Sequence, residues 1–311
     1  VDFLGERMKR AICIGINDYG GSANLNGCIN DAMGWLDVLT KFGFDVSVIL
    51  DREAKKQVIL EKLENMIGAS SYGDVIVMTY SGHGTQVPDQ NGDEPDYYDE
   101  ALYVSDGVLL DDSLRSVLNK VPDGVAVYII LDSCFSGTST RFASPFSESA
   151  KPRFLKHEST PQLTPELKRT GKFLQEFQMK ELLLTGSSDS EYSYDAYFGS
   201  KYYGAMSYYA ILTIKENPFG LTWEEFYTKL REKLPSYNYP QTPQLEGNSS
   251  LKKMLMWGGY EVEEPEPPSE PVPPAPPEPP VEEEDMNWFE KFVDFLSKVI
   301  KSIIHWFAEK F

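Results

Sequence analysis

The stretch "VAVYIILDSCFSG", residues 125–137, decides the fold. Its first half is an apolar run that carries no charge before Asp132. That pattern predicts a strand buried on both faces, as at the centre of a parallel sheet. The run gives way to a cysteine and a Ser-Gly turn, so Cys134 stands just past the strand's carboxyl end. A second run of the same kind, "DVIVMTYSGHG" (74–84), ends on His83 between two glycines.

Further strands are predicted outward from this pair, at "RAICIGIN" (10–17), "FDVSVIL" (44–50) and "KELLLTGSS" (180–188). Helical spacing separates them. Residues 28–43 place Ala32, Trp35, Leu36 and Leu39 on one face, and 55–68 repeats the period through Val58, Ile59, Leu63 and Met66. Helices are also predicted over 111–121, 204–218 and 222–235. Strands alternating with helices predict an α/β domain with a mainly parallel sheet and helices on both faces. Ligands in such sheets bind beyond the carboxyl ends of the strands, where His83 and Cys134 both fall.

Residues 8–260 carry this pattern, preceded by a short extension, 1–7, and interrupted by an irregular insert, 138–179. Residues 261–285 form a Pro/Glu-rich linker, and 265–280 contains ten prolines and no glycine, the composition of a polyproline-type spacer. Residues 286–311 read as an amphipathic helix that has an apolar face to cover. The net charge of −19 sits in two places: ten acids in 261–285 and nine in 89–112, neither with a base. The rest of the chain is balanced, which does not suit nucleic-acid binding. Three cysteines, sparse and odd in number, suit a reducing, cytoplasmic setting better than a disulfide framework. No apolar run reaches membrane-spanning length.

A nucleophilic thiol needs a base beside it. Of three histidines, His157 lies in the insert and His305 in the terminal helix, which leaves His83 as the base for Cys134, 51 residues later. The N–H groups around Gly84 and Cys134 are candidates to bind a developing oxyanion. Cys13 reads as a core residue and Cys28 as a structural one at a helix start.

"YSGHG" and "DSCFSGT", with "GCINDA" upstream and "DEALYVSD" between, resemble the metacaspases, caspase-like cysteine peptidases. The resemblance covers about residues 8–260, leaving the insert unaligned. It implies a caspase-like fold, a His83/Cys134 dyad and cleavage after arginine or lysine. It also implies an acidic pocket for that residue, formed by Asp31 and Asp132 with help from Ser81. Asp132 shares a strand face with Cys134, and a carboxylate pair suits a guanidinium. The family is commonly calcium-activated, and its ligand acids correspond to Asp106, Asp111 and Asp112. One departure stands out: the stretch after the nucleophile offers Arg141 where the family often has an acid.

A basic insert beside a pocket for basic residues implies self-cleavage. Arg141, Arg153, Lys156, Arg169 and Lys172 are the candidate sites, whereas the Lys151–Pro152 bond is a poor substrate. The expected partners are proteins or peptides with Arg or Lys before the scissile bond. The terminal helix is expected to bind a membrane surface or to self-associate. A non-enzymatic scaffold acting through that helix is the alternative, and retention of both Cys134 and His83 counts against it.

Overall fold

The computed structural model describes residues 7–88, 98–135, 150–157, 179–188, 191–260 and 288–308. The chain divides into two compact units, Val1–Val262 and Glu263–Phe311.

The first unit is built on a six-stranded sheet. Its strands are β1 (Lys9–Gly15), β2 (Asp45–Leu50), β3 (Val75–Ser81), β7 (Ala126–Asp132), β9 (Leu182–Thr185) and β12 (Gln244–Gly247), in the spatial order β12-β9-β7-β3-β1-β2. All neighbours run parallel except β12, which pairs antiparallel with β9 at the edge. The two strands anticipated around Cys134 and His83, β7 and β3, lie side by side at the centre. Every residue of both is buried.

Alternation along these strands feeds two cores. Ala11, Cys13, Val75, Val77, Ala126, Tyr128 and Ile130 face one side, where α1 (Cys28–Lys41), α4 (Ala205–Glu216), α5 (Trp223–Lys233) and α6 (Ser249–Lys253) supply Trp35, Ile211, Phe226 and Leu251. Ile12, Ile14, Ile76, Met78, Val127 and Ile129 face the other, covered by α2 (Lys56–Gly68) and α3 (Asp111–Leu118) through Ile59, Leu63 and Leu114. Each Val, Leu, Ile, Met or Phe among them contributes about 1.5–3 kcal/mol on burial. This is the expected mainly parallel sheet with helices on both faces.

Some expectations shift in detail. Val58 is exposed and Leu36 only half-buried, while Val38 and Ile67 are buried in their place. The acidic stretch 89–112 supplies two strands, β5 (Tyr98–Val104) and β6 (Gly107–Leu110), of a three-stranded antiparallel sheet completed by β4 (Gly84–Pro88). The apolar residues Ala101, Leu102 and Val104 drive that pairing and carry Asp99 and Glu100 into buried positions. The insert includes a short strand, β8 (Lys151–Pro152), on the edge of β10 (Tyr194–Phe198), which pairs in turn with β11 (Lys201–Gly204).

The second unit contains α7 (Trp288–Ala308), on which Phe289, Phe295, Ile300 and Ile303 are exposed. Among the described residues, no helix is long and apolar enough to cross a membrane.

Candidate active site

Register sets the site. Ser81 pairs with Asp132 at the ends of β3 and β7, so both strands leave the sheet at one level. Two residues further on stand His83 and Cys134. The glycines around His83 are required by close approach. A side chain at Gly82 would run into the hydroxyls of Tyr19 and Tyr80, and one at Gly84 into the Cys134 carbonyl.

The His83 main chain is fixed on both sides. Its N–H donates to the Tyr19 hydroxyl (2.9 Å), and its carbonyl accepts the Tyr103 N–H (2.9 Å). The Tyr80 hydroxyl lies 2.8 Å from the carbonyls of both His83 and Tyr103. The Tyr19 ring centroid is 4.5 Å from that of the imidazole. The imidazole Nε2 sits 2.8 Å from the Ala23 carbonyl. A carbonyl only accepts, so the proton is on Nε2 and Nδ1 is the basic nitrogen. Nδ1 is buried without a hydrogen-bond partner among the described residues. Burial pushes His83 down to about 4, against the pull of the Ala23 carbonyl.

Cys134 is fully buried. Its thiol donates to the Ser193 carbonyl (3.2 Å) and takes the Ser193 N–H (2.7 Å). Burial pushes it up to about 12, so in this state thiol and imidazole are both neutral.

Beside this pair a pocket closes around Arg153, whose side chain is wholly buried. Its Nη2 meets Asp31 Oδ2 at 2.7 Å and Asp195 Oδ1 at 3.1 Å. Its Nη1 meets the Asp132 main-chain carbonyl at 3.1 Å and Asp132 Oδ2 at 3.3 Å. The acids are themselves held. Asp31 accepts the Gly204 N–H, Asp132 the Ser207 N–H and the Ser193 hydroxyl, and Asp195 the N–H groups of Asn26 and Gly27. Three carboxylates around one guanidinium leave an excess of buried negative charge. Burial pushes Asp31 up to about 8, with the Asp132 charge adding to it and Arg153 opposing. Cys28 lies among the same charges, and burial raises its thiol well above the ordinary range. A side chain at Gly204 would occupy the space of Asp132 Oδ2 and Arg153 Nη1, so the pocket exists because residue 204 has none.

The Arg153 main chain is held as firmly as its side chain. Its N–H donates to the Ser193 carbonyl at 2.9 Å. Its carbonyl accepts both the Gly84 N–H (2.9 Å) and the Cys134 N–H (3.2 Å), the two donors expected to bind an oxyanion. Upstream, Pro152 and Lys151 pair antiparallel with Tyr194 and Asp195.

The other candidates fall elsewhere. Ser81 is buried at the end of β3 and makes no hydrogen bond to Arg153 among the described residues. Lys156 is exposed beyond the pocket. Arg141, Arg169 and Lys172 lie outside the described residues. Asp106 caps the start of α2 by accepting the Lys56 N–H (2.9 Å), while Asp111 and Asp112 open α3. No group of three or more potential metal-binding side chains occurs among the described residues.

Sequence reading missed Asp195, Ser193, Tyr19, the Ala23 carbonyl and Gly204. Asp195 sits in "EYSYDAYFG" (191–199), a stretch with no His or Cys beside it to mark a site, and main-chain groups leave no residue signature.

The His83 environment carries a pH signature. A histidine held neutral by burial gives stability that is fully present above about pH 6.5 and is lost as pH falls toward 4. Asp31 has the opposite sign, since its raised pKa favours the fold at low pH. Comparing Cys134→Ala with Cys134→Ala/His83→Gln isolates the histidine. Denaturant unfolding of the pair should show their stability difference changing by on the order of 3 kcal/mol between pH 6.5 and 4, to the disadvantage of the chain retaining His83. A difference flat with pH would contradict a neutral buried imidazole.

A family model described as the caspase domain matches residues 8–255. Metacaspase-1 of Emericella nidulans is 28% identical over 294 residues, covering 80% of this chain and 72% of that protein. Metacaspase-7 of Arabidopsis thaliana is 38% identical over 140 residues, covering 42% of this chain and 35% of its own length. Among solved structures, the Geobacter sulfurreducens protein GSU0716 aligns with a TM-score of 0.62 at 24% identity, covering 81% of this chain and all of that one. Caspase-1 from Spodoptera frugiperda aligns with a TM-score of 0.50 at 13% identity, covering 77% of this chain and 87% of that one. At these identities the two structures speak for the fold.

Proposed function

Because the chain belongs to the caspase-domain family of cysteine peptidases, we propose that it is an endopeptidase for bonds after arginine or lysine, and that it cuts its own chain between Arg153 and Phe154. One observation carries this reading. Arg153 places its guanidinium among Asp31, Asp132 and Asp195 and its carbonyl on the N–H groups of Gly84 and Cys134. That is how a substrate arginine would lie.

In the reaction the thiol leaves Ser193 and gives its proton to His83 Nδ1. The sulfur attacks the Arg153 carbonyl carbon, and the oxygen gains charge against the Gly84 and Cys134 N–H groups. Collapse breaks the C–N bond as the imidazolium protonates the Phe154 nitrogen. Water, deprotonated by the same imidazole, then hydrolyses the thioester and frees the Arg153 carboxylate. The Ala23 carbonyl stabilises the imidazolium as it forms. Tyr19 and Tyr80 act as positioning residues.

Arg153 and Cys134 are both fully buried, so the intact chain has no room for an external substrate. Cleavage in cis and departure of residues 151–155 precede cleavage in trans. A panel of Arg-X, Lys-X and Asp-X peptides, given to processed enzyme, checks the specificity. Arg-X and Lys-X should be cut and Asp-X left intact, and preferred cleavage after Asp would overturn the reading. Lysine reaches the acids with a single ammonium where arginine offers a fork, so Arg-X should be the faster of the two.

Calcium activation is a separate proposal that rests on the family resemblance and enters none of these steps. Peptidase activity should rise on adding calcium and fall with a chelator; activity indifferent to both would remove it. For α7 we propose attachment to a membrane surface or to a second copy. Liposome co-sedimentation and sizing, with and without residues 286–311, separate the two; a deletion that changes neither would overturn both.

A further inference from the structure

Residues 153–155 run along the start of β4, where Phe154 bridges Gly84 in parallel. The contact uses both main-chain groups of Gly84. Its N–H donates to the carbonyl before the scissile bond (2.9 Å), and its carbonyl accepts the Leu155 N–H, two residues after that carbonyl, at 3.0 Å. The chain then continues over β5, where the His157 ring centroid lies 6.3 Å from that of Tyr103. Tyr103 is itself bonded to the His83 carbonyl through its N–H.

Gly84 follows the general base directly, so its position is fixed by the same bonds that fix His83. A substrate that satisfies its N–H and carbonyl together is clamped on both sides of the bond to be cut. The upstream side differs in what it asks of the chain. Pro152 has no N–H to give and still pairs opposite Tyr194, whose own N–H is taken by the Gln241 side chain (3.1 Å). Proline is therefore accepted before the arginine, whereas the second residue after the scissile bond must present an N–H.

We infer that Gly84 is a specificity-determining residue for the far side of the scissile bond. Its carbonyl selects extended polypeptides with a free N–H at the second position past the cut and rejects proline there. This inference rests on reading Arg153 as a bound substrate arginine. It adds that arginine in the pocket is not sufficient, and that a substrate ending at the leaving group is a poor one.

The test uses processed full-length enzyme and the peptide Lys-Pro-Arg-Phe-Leu-Lys-His, acetylated and amidated. In a second peptide an ester oxygen replaces the leucine N–H. In a third the ester is moved to the next bond, where the Lys156 N–H makes no hydrogen bond among the described residues. Cleavage of the Arg-Phe bond is followed by mass. Losing the clamp should lower kcat/KM about tenfold for the second peptide and leave the third near the parent. A Leu→Pro peptide should fall further. Equal cleavage of all three ester-series peptides would overturn the inference while leaving arginine specificity intact. Failure to cut the parent after arginine would instead strike at the reading beneath it.

Discussion

Replacing Cys134 by alanine is expected to lower hydrolysis of Arg-X peptides by at least roughly 10⁴-fold and to leave the 153–154 bond intact. The substitution removes one sulfur from a fully buried position and disturbs little else. The strand before it, β7, is fixed by pairing on both sides with β3 and β9. The N–H of residue 134 stays in place to hold the Arg153 carbonyl. What is lost is the atom that forms the thioester. His83→Ala should show a comparable fall, because the thiol is raised to about 12 by burial and has no other base among its bonded partners, which are the main-chain groups of Ser193. Peptide kinetics on the purified variants, with melting temperature as a check on folding, decide it. Substantial activity in either variant would mean that another nucleophile or base operates.

The second large effect comes from a glycine. Gly204→Ala should abolish recognition of arginine while leaving every charge of the pocket in place. Gly204 has φ −69° and ψ 135°, a conformation that alanine adopts without strain. Its added methyl group, however, falls where Arg153 Nη1 and Asp132 Oδ2 now meet. A guanidinium held out of the pocket loses its ion pairs while the acids keep their burial. Breaking such a buried arrangement costs about 3–5 kcal/mol, or roughly 10²- to 10⁴-fold in kcat/KM. In the intact chain the same methyl should expel residues 151–155, which limited proteolysis of the Gly204→Ala/Cys134→Ala protein would register as new cutting near Arg153. Unchanged cleavage of Arg-X peptides by Gly204→Ala would contradict this account of the pocket.

Much of the molecule was legible in the sequence because its centre obeys simple periodicities. The runs ending in His83 and Cys134 are apolar on both faces, and only the middle of a parallel sheet buries both faces of a strand. Their equal lengths past Ser81 and Asp132 then bring His83 and Cys134 to one level. Asp31 was legible through its motif as an acid of the pocket, and its carboxylate is buried against Arg153. The acidic stretch misled, because the charge of 89–112 masks the apolar residues that make β5 and β6. Asp195 was hidden for a different reason. It enters the pocket by way of a hairpin, β10–β11, whose Gly199–Ser200 turn announces the hairpin but not the pocket. That Arg153 fills the acidic pocket was likewise beyond the sequence, since it depends on Pro152 and Lys151 pairing with β10.

The central claim is that Arg153 lies in the pocket as a substrate does. Intact-mass analysis of the full chain over time tests it most directly, with Cys134→Ala and Arg153→Gln alongside. The expected result is a pair of fragments, one ending in Arg153 and one beginning with Phe154, absent from both variants. Fragments of those same masses from Cys134→Ala, or self-cleavage of the wild type at other residues with the 153–154 bond untouched, would contradict it.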